Sequence, residues 1–268
     1  MGRGTIERRF NGGGVQPRDL PPTGEHQRLG GIKCFGAMSA EGGTIVSNSI
    51  FIPSSGPDSW RQFLAKPDLH WATGYSARTL AHAWESANGV PPEVAALLEP
   101  HVGAIEALVI LPEHKTSLPG GTRESQSDVF FLARHAAGTL ACAVEGKVDE
   151  PFGPTVAQQM ADATPGRTER FDYLCGRLGL EGCPGHIHYQ LLHRTVSALI
   201  EAERFDASHA AMIVHSFSPV AKWFDAYAAF VEMLGQTATP DAACLVEVPD
   251  GRPLLLGWAK GEQRFRER

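Results

Sequence analysis

Two continuous apolar runs, joined by a short turn and flanked by charged residues, constrain the fold more than any other part of the sequence. The runs cover residues 129–133 and 140–144. Runs of this length and character are typical of strands that are buried on both faces of a sheet. Residues 135–138 (HAAG) between them provide a hairpin turn. The sequence therefore predicts a buried β-hairpin within a larger sheet.

The length of this turn determines which charged residues at the open end of the hairpin face each other. A two-residue turn sets Asp128 opposite Glu145 or, if the turn begins one residue later, opposite Lys147. Side chains alternate between the two faces of a strand, so in either case all three charged residues share one face. A three-residue loop would instead pair Asp128 with Gly146. Two of the three turns therefore gather two carboxylates and an amine at one edge of the sheet.

Length, charge and cysteine content limit the class of protein. The 268 residues, 43% of them hydrophobic, suit one sizeable domain with additions. The formal net charge of -6 argues against a non-specific nucleic-acid coat but leaves room for a local basic patch. The five cysteines are scattered, so we expect no disulfide and a reduced, cytoplasmic compartment. No apolar stretch has transmembrane length and the N-terminus lacks the apolar core of a signal peptide, so no membrane contact is expected.

Composition divides the chain into three parts. Residues 1–37 are rich in Gly, Pro, Arg and Gln, and such a segment is expected to be disordered. Met38 is followed by a plausible polar start, so we expect that translation begins there. Residues 38–262 are predicted to form a single α/β domain, and residues 263–268 a solvated tail.

Apolar periodicity and turn residues predict the order of elements within the domain. The predicted helices lie at residues 57–64, 77–85, 91–98, 155–163, 168–179, 187–203 and 220–234, with Ser76 as the N-cap of the second. Besides the central hairpin, the predicted strands lie at residues 105–112, closed by Pro112, at 209–216, and in a terminal hairpin at 243–258. This order predicts a mixed central sheet flanked by helices.

The charged residues of the hairpin form a recognisable pattern. Asp128, then Glu145-x-Lys147, with the helical acid Glu85 upstream, resembles the motif of the PD-(D/E)XK nuclease-like superfamily, which has the restriction-endonuclease-like fold. Ser127 stands where the motif has proline. The predicted element order over residues 75–216 also resembles that core.

The resemblance implies a magnesium-dependent hydrolysis of phosphodiester bonds in nucleic acid. It assigns Mg²⁺ or Mn²⁺ to oxygen ligands, which would be Asp128, Glu145 and Glu85. Lys147 would orient the attacking water and offset negative charge at the phosphate. Gln190 matches a polar site residue of the following helix, and Arg194 shares its helical face and would contact phosphate. Because members of the superfamily often cut duplexes as dimers, a homodimer is also implied.

Other interpretations of the same residues stand beside this one. Acids at strand ends are commonly solvated, and a Lys two residues from a Glu is often a surface partner. The acidic net charge favours a second hypothesis, an inactive nuclease-like binding or regulatory module. Ser125 has no context of a nucleophile, and His193 is either a general base or a satisfied polar residue.

A second cluster has the residue types that bind zinc, but its spacing matches no common zinc finger. Its members are Cys175, Cys183, His186 and His188. The segment is also explained by a loop that leads into the next helix, with Cys175 in the core. We therefore expect no zinc at this cluster.

Overall fold

The computed structural model describes residues 54–268; the predictions for residues 1–37 and for Met38 lie outside the described residues. The strands are β1 (Glu106–Thr116), β2 (Ser125–His135), β3 (Gly138–Lys147), β4 (His209–Ser216), β5 (Ala243–Val246) and β6 (Leu254–Lys260). The α-helices are α1 (Pro67–His70), α2 (Ser76–Ala87), α3 (Pro92–Val102), α4 (Val156–Met160), α5 (Pro165–Arg177), α6 (Tyr189–Arg204) and α7 (Phe224–Met233). Two 3-10 helices cover Pro57–Phe63 and Gln263–Phe265.

The strands form one mixed six-stranded sheet in the order β1-β2-β3-β4-β6-β5. The first three strands are antiparallel to one another, whereas β3, β4 and β6 run parallel. The terminal pair β5 and β6 is the predicted antiparallel hairpin. The predicted α/β class with a mixed central sheet flanked by helices is therefore confirmed.

Helices cover both faces of the sheet because the central strands are apolar on both sides. Side chains of α5, α6 and α7 pack with one set of strand residues, including Phe130 and Ala143. Side chains of α2 and α3 pack with the alternate set, including Phe131 and Val144. This alternation is the two-residue period of a strand that is buried on both faces. Within residues 54–268, no helix combines the length and the apolar character needed to cross a membrane.

The central hairpin has the two-residue turn that places the acids on one face. His135 pairs with Gly138, so the turn consists of Ala136 and Ala137. Gly138 has a φ of 148°, and a Cβ at this position would lie 2.5 Å from Ser208 Oγ. A larger residue would therefore be both strained and crowded at the turn. The register predicted from this turn length is confirmed along the whole ladder to the last pair, Val129 with Val144.

Of the element boundaries that differ from the predictions, two have a clear physical reason. Strand β1 does not close at Pro112 but continues to Thr116. It is an edge strand, where alternate N–H groups need no partner in the sheet, so proline is tolerated. Ser76 is not the N-cap of α2; that position is Tyr75, and the backbone N–H of Ser76 donates to the Glu150 carboxylate at 3.0 Å.

The C-terminal residues 263–268 differ from the predicted solvated tail. Phe265 is buried and packs with the core on the α2 and α3 face. Arg266 forms an ion pair with Asp149. The single aromatic residue in this charged segment supplies enough apolar surface to hold the tail against the domain.

Candidate functional site

Strands β2 and β3 separate at the point where the charged residues of the hairpin begin. Their ladder ends at the pair Val129 and Val144, whereas β3 continues alongside β4 as far as Lys147. The carboxylate of Asp128 lies in the resulting split and accepts a hydrogen bond from the backbone N–H of Gly146 at 2.7 Å. A side chain thus replaces the backbone acceptor that the departing strand no longer supplies.

Glu145 lies at the centre of a buried ion cluster beside this split. Its Oε1 accepts hydrogen bonds from Lys147 Nζ at 2.6 Å and from Gln190 Nε2 at 2.8 Å. Its Oε2 accepts from Arg194 Nε at 2.6 Å. Glu145, Lys147 and Arg194 are all buried, with exposed fractions of 2%, 3% and 7%. Both oxygens of this carboxylate are therefore engaged by two cations and an amide.

Helix α6 and the end of β3 position this cluster. Gln190 and Arg194 are four residues apart on α6, and both donate to Glu145, so they lie on one helical face as predicted. Lys147 is the last residue of β3, two residues beyond Glu145, and its amine lies 4.9 Å from the centroid of the Phe152 ring. This contact adds a cation–π interaction that holds the lysine at the edge of the sheet.

The neighbouring carboxylates of the cluster have opposite pKa shifts. Burial acts to raise the pKa of Glu145, but the charges of Lys147 and Arg194 and their hydrogen bonds outweigh it and hold the pKa at about 2. Burial and then the charge of Glu145 raise the pKa of Asp128 to about 7. The cluster therefore contains one ionised carboxylate and one that titrates near neutral pH.

Glu113 is a third acid of this site that the sequence analysis missed. It lies opposite Asp128 in the β1–β2 ladder, between the pairs Pro112–Val129 and His114–Ser127. Its carboxylate accepts a hydrogen bond from Gln126 Nε2 at 2.6 Å, and burial followed by the charge of Asp128 raises its pKa well above the usual value. The loop of residues 117–124 between β1 and β2 is too long for the register arithmetic used on the central hairpin, so the sequence did not indicate that Glu113 lies opposite Asp128.

A serine and a histidine join the cluster through Arg194. Its Nη1 donates to Ser125 Oγ at 2.9 Å, and this hydroxyl lies 2.8 Å from His193 Nδ1. Arg194 Nη1 also lies 3.3 Å from His193 Nδ1, and because a guanidinium only donates, Nδ1 is an acceptor and the ring proton lies on Nε2. Burial and then the charge of Arg194 lower the pKa of His193 well below its usual range, so the ring is neutral. His193 thus presents an N–H donor rather than a general base.

A cleft of about 760 Å³ opens above the ion cluster, and we call it the basic cleft. Its walls are formed by residues from 118 to 126, by residues 151–154, and by side chains of α5 and α6. Its lining carries five cations and one carboxylate: Arg123, Lys147, Arg167, Arg170, Arg194 and Glu124. Glu145 is not part of this lining but lies behind it, hydrogen-bonded to Lys147 and Arg194. The charged side chains that line the cleft are therefore mostly cationic.

Glu85 is not part of the cluster, in contrast to the sequence-based prediction. Its carboxylate accepts hydrogen bonds from Trp60 Nε1 at 2.7 Å and from Ser54 Oγ. Helix α2, which carries Glu85, packs on the face of the sheet opposite to α6. We therefore remove Glu85 from the set of metal ligands, since its helix brings Leu80 rather than an acid over Gly146.

The residues considered for zinc have other contacts. The Sγ of Cys183 lies 3.5 Å from Met233 Sδ, and His188 Nδ1 lies 2.8 Å from the carbonyl oxygen of Gly153. Across residues 54–268, no group of three or more His, Cys, Asp or Glu side chains is arranged so that it could hold a metal ion. This statement covers the acids at the strand split as well.

Two carboxylates at the split nevertheless have the chemistry that Mg²⁺ prefers. Mg²⁺ is usually bound through one or two carboxylates, several waters and substrate phosphate, so a cage of protein ligands is not required. Asp128 has a raised pKa because its charge is buried beside Glu145, and a divalent cation relieves that repulsion. Glu145 is ionised but fully hydrogen-bonded, so a metal ion there would replace some of its present contacts.

Comparisons with known proteins give one match. The family model described as "Domain of unknown function (DUF6946)" matches residues 53–263. No curated protein matches the chain, and no solved structure matches it.

Proposed function

The chain belongs to the DUF6946 family, and we propose that it is a Mg²⁺-dependent nuclease of the PD-(D/E)XK type. The observation that carries this proposal is the convergence of Asp128, Glu145 and Lys147 at the split between β2 and β3, directly beneath the basic cleft. In this proposal the substrate is nucleic acid and the reaction is hydrolysis of a phosphodiester bond. Mn²⁺ is expected to substitute for Mg²⁺.

The order of elements supports a restriction-endonuclease-like core. Helix α2 precedes an antiparallel meander of β1, β2 and β3, and α6 then leads to β4, which runs parallel to β3. This is the order that the sequence resemblance implies for residues 75–216. The split of β2 from β3 opens the middle of the sheet where that resemblance places the site.

Each residue of the cluster has a proposed role that follows from its contacts. Asp128 and Glu145 would hold the metal ion, which supplies Lewis-acid stabilisation and lowers the pKa of bound water. Lys147 reaches the floor of the cleft, where its amine would orient the attacking water and offset charge on the phosphate. Gln190 holds that amine through its Oε1 at 3.4 Å. The guanidinium of Arg194 would bind a phosphate oxygen in place of the Glu145 carboxylate, because it binds carboxylate and phosphate in the same fork geometry.

The charge of the cleft supports a polyanionic substrate. A chain with a net charge of -6 would repel nucleic acid over most of its surface. The basic cleft reverses that sign locally, since five of its six charged lining residues are Lys or Arg. A basic lining next to paired carboxylates is the distribution expected of an enzyme on nucleic acid rather than of an acidic binding surface.

The proposal is tested by cleavage of single- and double-stranded DNA and RNA in Mg²⁺, with a chelator as the blank. We expect that Asp128→Ala, Glu145→Ala and Lys147→Ala each reduce the cleavage rate by at least about 100-fold. Asp128→Asn keeps the hydrogen bond to Gly146, so it separates loss of the charge from loss of the fold. Glu85→Ala is the matched control and should cleave as the wild type does. Metal-dependent cleavage that survives all the substitutions at the split would end the assignment.

The engagement of Glu145 favours a second candidate function, a nuclease-like module that binds nucleic acid without cutting it. Both oxygens of its carboxylate are already bonded to Lys147, Gln190 and Arg194, which compete with a metal ion. Calorimetry with Mn²⁺ separates the two functions. Heat of binding that disappears in Asp128→Asn supports the enzyme, whereas nucleic-acid binding without any metal binding supports the module.

A cytoplasmic location completes the proposal. Its support is the chemistry of the cysteines: within the described part of the chain, Cys142, Cys175, Cys183 and Cys244 are all free thiols. Unpaired thiols are the usual state in a reducing compartment. The pKa of Cys183 is raised to about 12 by burial and by Cys175, so this thiol is unreactive.

A further inference from the structure

One wall of the basic cleft is a glycine-containing loop that joins β1 to β2. We call residues 118–123 the glycine loop. Gly120 has a φ of 75°, and a Cβ there would lie 2.0 Å from the carbonyl oxygen of Gly166 at the start of α5. A Cβ at Gly166 would in turn lie 2.6 Å from the carbonyl oxygen of Gly120. Both glycines are therefore required for the loop backbone to lie directly against the helix.

The side chain of Arg170 satisfies the carbonyl groups of this loop. Its Nε donates to Pro119 O at 2.8 Å, and its Nη2 donates to Leu118 O at 3.3 Å and to Gly121 O at 3.2 Å. One guanidinium thus binds three backbone acceptors. The loop is held in one conformation by a cation from the neighbouring helix, and its acceptors are turned toward that cation.

The amide groups of the same loop have no such partners. Among the hydrogen bonds formed within residues 54–268, none has the backbone N–H of Gly120, Gly121, Thr122 or Arg123 as its donor. These four residues line the basic cleft. A segment with three of its carbonyls bound to Arg170 and four successive N–H groups without a partner among the described residues has the polarity of an anion-binding loop.

Two further guanidinium groups lie beside this loop without a carboxylate partner. Arg123 belongs to the loop itself, is exposed, and has no ion pair with any other described residue. Within residues 54–268, the guanidinium of Arg167, in the first turn of α5, donates only to the carbonyl oxygen of Asp162 at 3.3 Å. Unlike Lys147 and Arg194, which share the charge of Glu145, these two side chains are available to a ligand.

We propose that the glycine loop, together with Arg123 and Arg167, is a phosphate-binding subsite separate from the split that holds Asp128 and Glu145. A phosphodiester group offers only acceptors and one negative charge, which matches free N–H donors and unpaired guanidinium groups. The subsite would bind a phosphate of the strand other than the one that is cut, and so fix the position of the strand in the cleft. The choice of nucleic acid as the source of this phosphate rests on the proposed function.

The test measures the affinity for a short fluorescent oligonucleotide by anisotropy, in a chelator so that no cleavage occurs. We expect the double variant Arg123→Ala/Arg167→Ala to bind about 10-fold more weakly than the wild type. Arg134→Ala is the control, since Arg134 is also exposed but is paired with Glu106 at the opposite end of β2, and the affinity of this variant should be unchanged. Circular dichroism checks that the variants keep the fold. Equal affinity of the double variant and the wild type would overturn the subsite.

Competition with inorganic phosphate distinguishes a strand from a free anion as the ligand. A strand subsite predicts that inorganic phosphate displaces the oligonucleotide only at concentrations far above that of the oligonucleotide itself. Displacement at comparable concentrations would overturn the strand assignment. If the wild type binds through Arg123 and Arg167 but does not cleave nucleic acid, the subsite stands and the nuclease assignment is wrong. If the wild type cleaves nucleic acid but the double variant binds the oligonucleotide as tightly as the wild type, the subsite is wrong and the nuclease assignment stands.

Discussion

Glu145 is the shared partner of two buried cations at the floor of the cleft, so the stability of the ion cluster depends on its charge. Lys147 and Arg194 are removed from water at a cost that their shared carboxylate offsets. A buried ion pair adds little net stability compared with apolar residues, but the loss of one partner leaves an uncompensated charge. Substituting one member of the cluster should therefore lower the free energy of unfolding by more than the intact cluster contributes to it.

The substitution Glu145→Gln keeps the shape of the side chain and removes its charge. We expect the free energy of unfolding to fall by about 3 to 5 kcal/mol, because Lys147 and Arg194 then lose the buried carboxylate to which both of them donate. Urea unfolding at neutral pH measures the loss. The control is Glu106→Gln, whose ion pair with Arg134 is exposed and should contribute less than about 1 kcal/mol. Similar losses for the two variants would contradict this account of the cluster.

His193 gives the site a predictable dependence on pH. Its pKa is lowered in the folded protein, mainly by burial, whereas the unfolded chain takes up a proton at the usual pKa of about 6.5. The stabilising contribution is therefore complete above about pH 6.5 and is lost as the pH falls toward the lowered value.

Below about pH 6.5, the wild type should lose more of its unfolding free energy than His193→Gln does, by up to about 1.4 kcal/mol per pH unit for the one proton involved. Urea unfolding at several pH values in the presence of a chelator measures this difference. His70→Gln serves as the control, since His70 is exposed and the variant should follow the wild type. A pH profile of His193→Gln parallel to that of the wild type would show that the ring is not buried in its neutral form.

At the scale of elements, the cleft depends on how the glycine loop is seated on α5. The loop and the helix touch through backbone atoms at Gly120 and Gly166, and Arg170 of the helix fixes the loop carbonyls. Close approach of two backbones is possible only where neither residue has a Cβ. The wall of the basic cleft is therefore set by packing between these two elements rather than by the loop sequence alone.

Gly120→Ala tests this contact. The new methyl group would overlap the carbonyl oxygen of Gly166, and the φ of 75° disfavours alanine, so we expect a loss of about 2 kcal/mol or more. Gly176→Ala is the matched control within α5, because a Cβ there meets no atom within 4 Å. Removing a glycine from a helix should stabilise the protein by about 0.5 to 1 kcal/mol. Thermal unfolding monitored by circular dichroism compares the two variants, which should shift in opposite directions.

At the scale of the whole molecule, the charged lining of the basic cleft is opposite in sign to the net charge of the chain. The chain carries a net charge of -6, whereas the basic cleft is lined by five cations and a single carboxylate. Field lines from such a cleft are focused by the low-dielectric walls, which raises the local concentration of anionic ligands. Binding of nucleic acid should therefore be confined to one place on the molecule and should depend on salt.

The wild type in a chelator should bind one short oligonucleotide per chain. The logarithm of the affinity should fall linearly with the logarithm of the salt concentration, with a slope of about -2 to -3, as expected for about three phosphate contacts. Anisotropy titrations at increasing salt give this slope. A slope near zero would indicate that the ligand is held without phosphate contacts, and a much steeper slope would indicate a surface larger than the cleft.

The sequence alone determined the features that depend on a fixed local period. The alternation of strand side chains places Asp128, Glu145 and Lys147 on one face for either two-residue turn, and the structure showed that the turn has two residues. The spacing of four residues placed Gln190 and Arg194 on one helical face. Both predictions follow from the alternation of side chains in a strand and from the repeat of a helix, which tertiary contacts do not change.

Only the tertiary structure decided which other residues join that edge. It placed Glu113 opposite Asp128 and kept Glu85 with Trp60, and it brought Arg167 beside the glycine loop. These outcomes depend on which segments meet across long sequence separations: an edge strand that tolerates Pro112, a helix on the far face of the sheet, and a backbone contact between two glycines. Local periodicity fixes the face on which a side chain lies, but packing between elements fixes what it meets there.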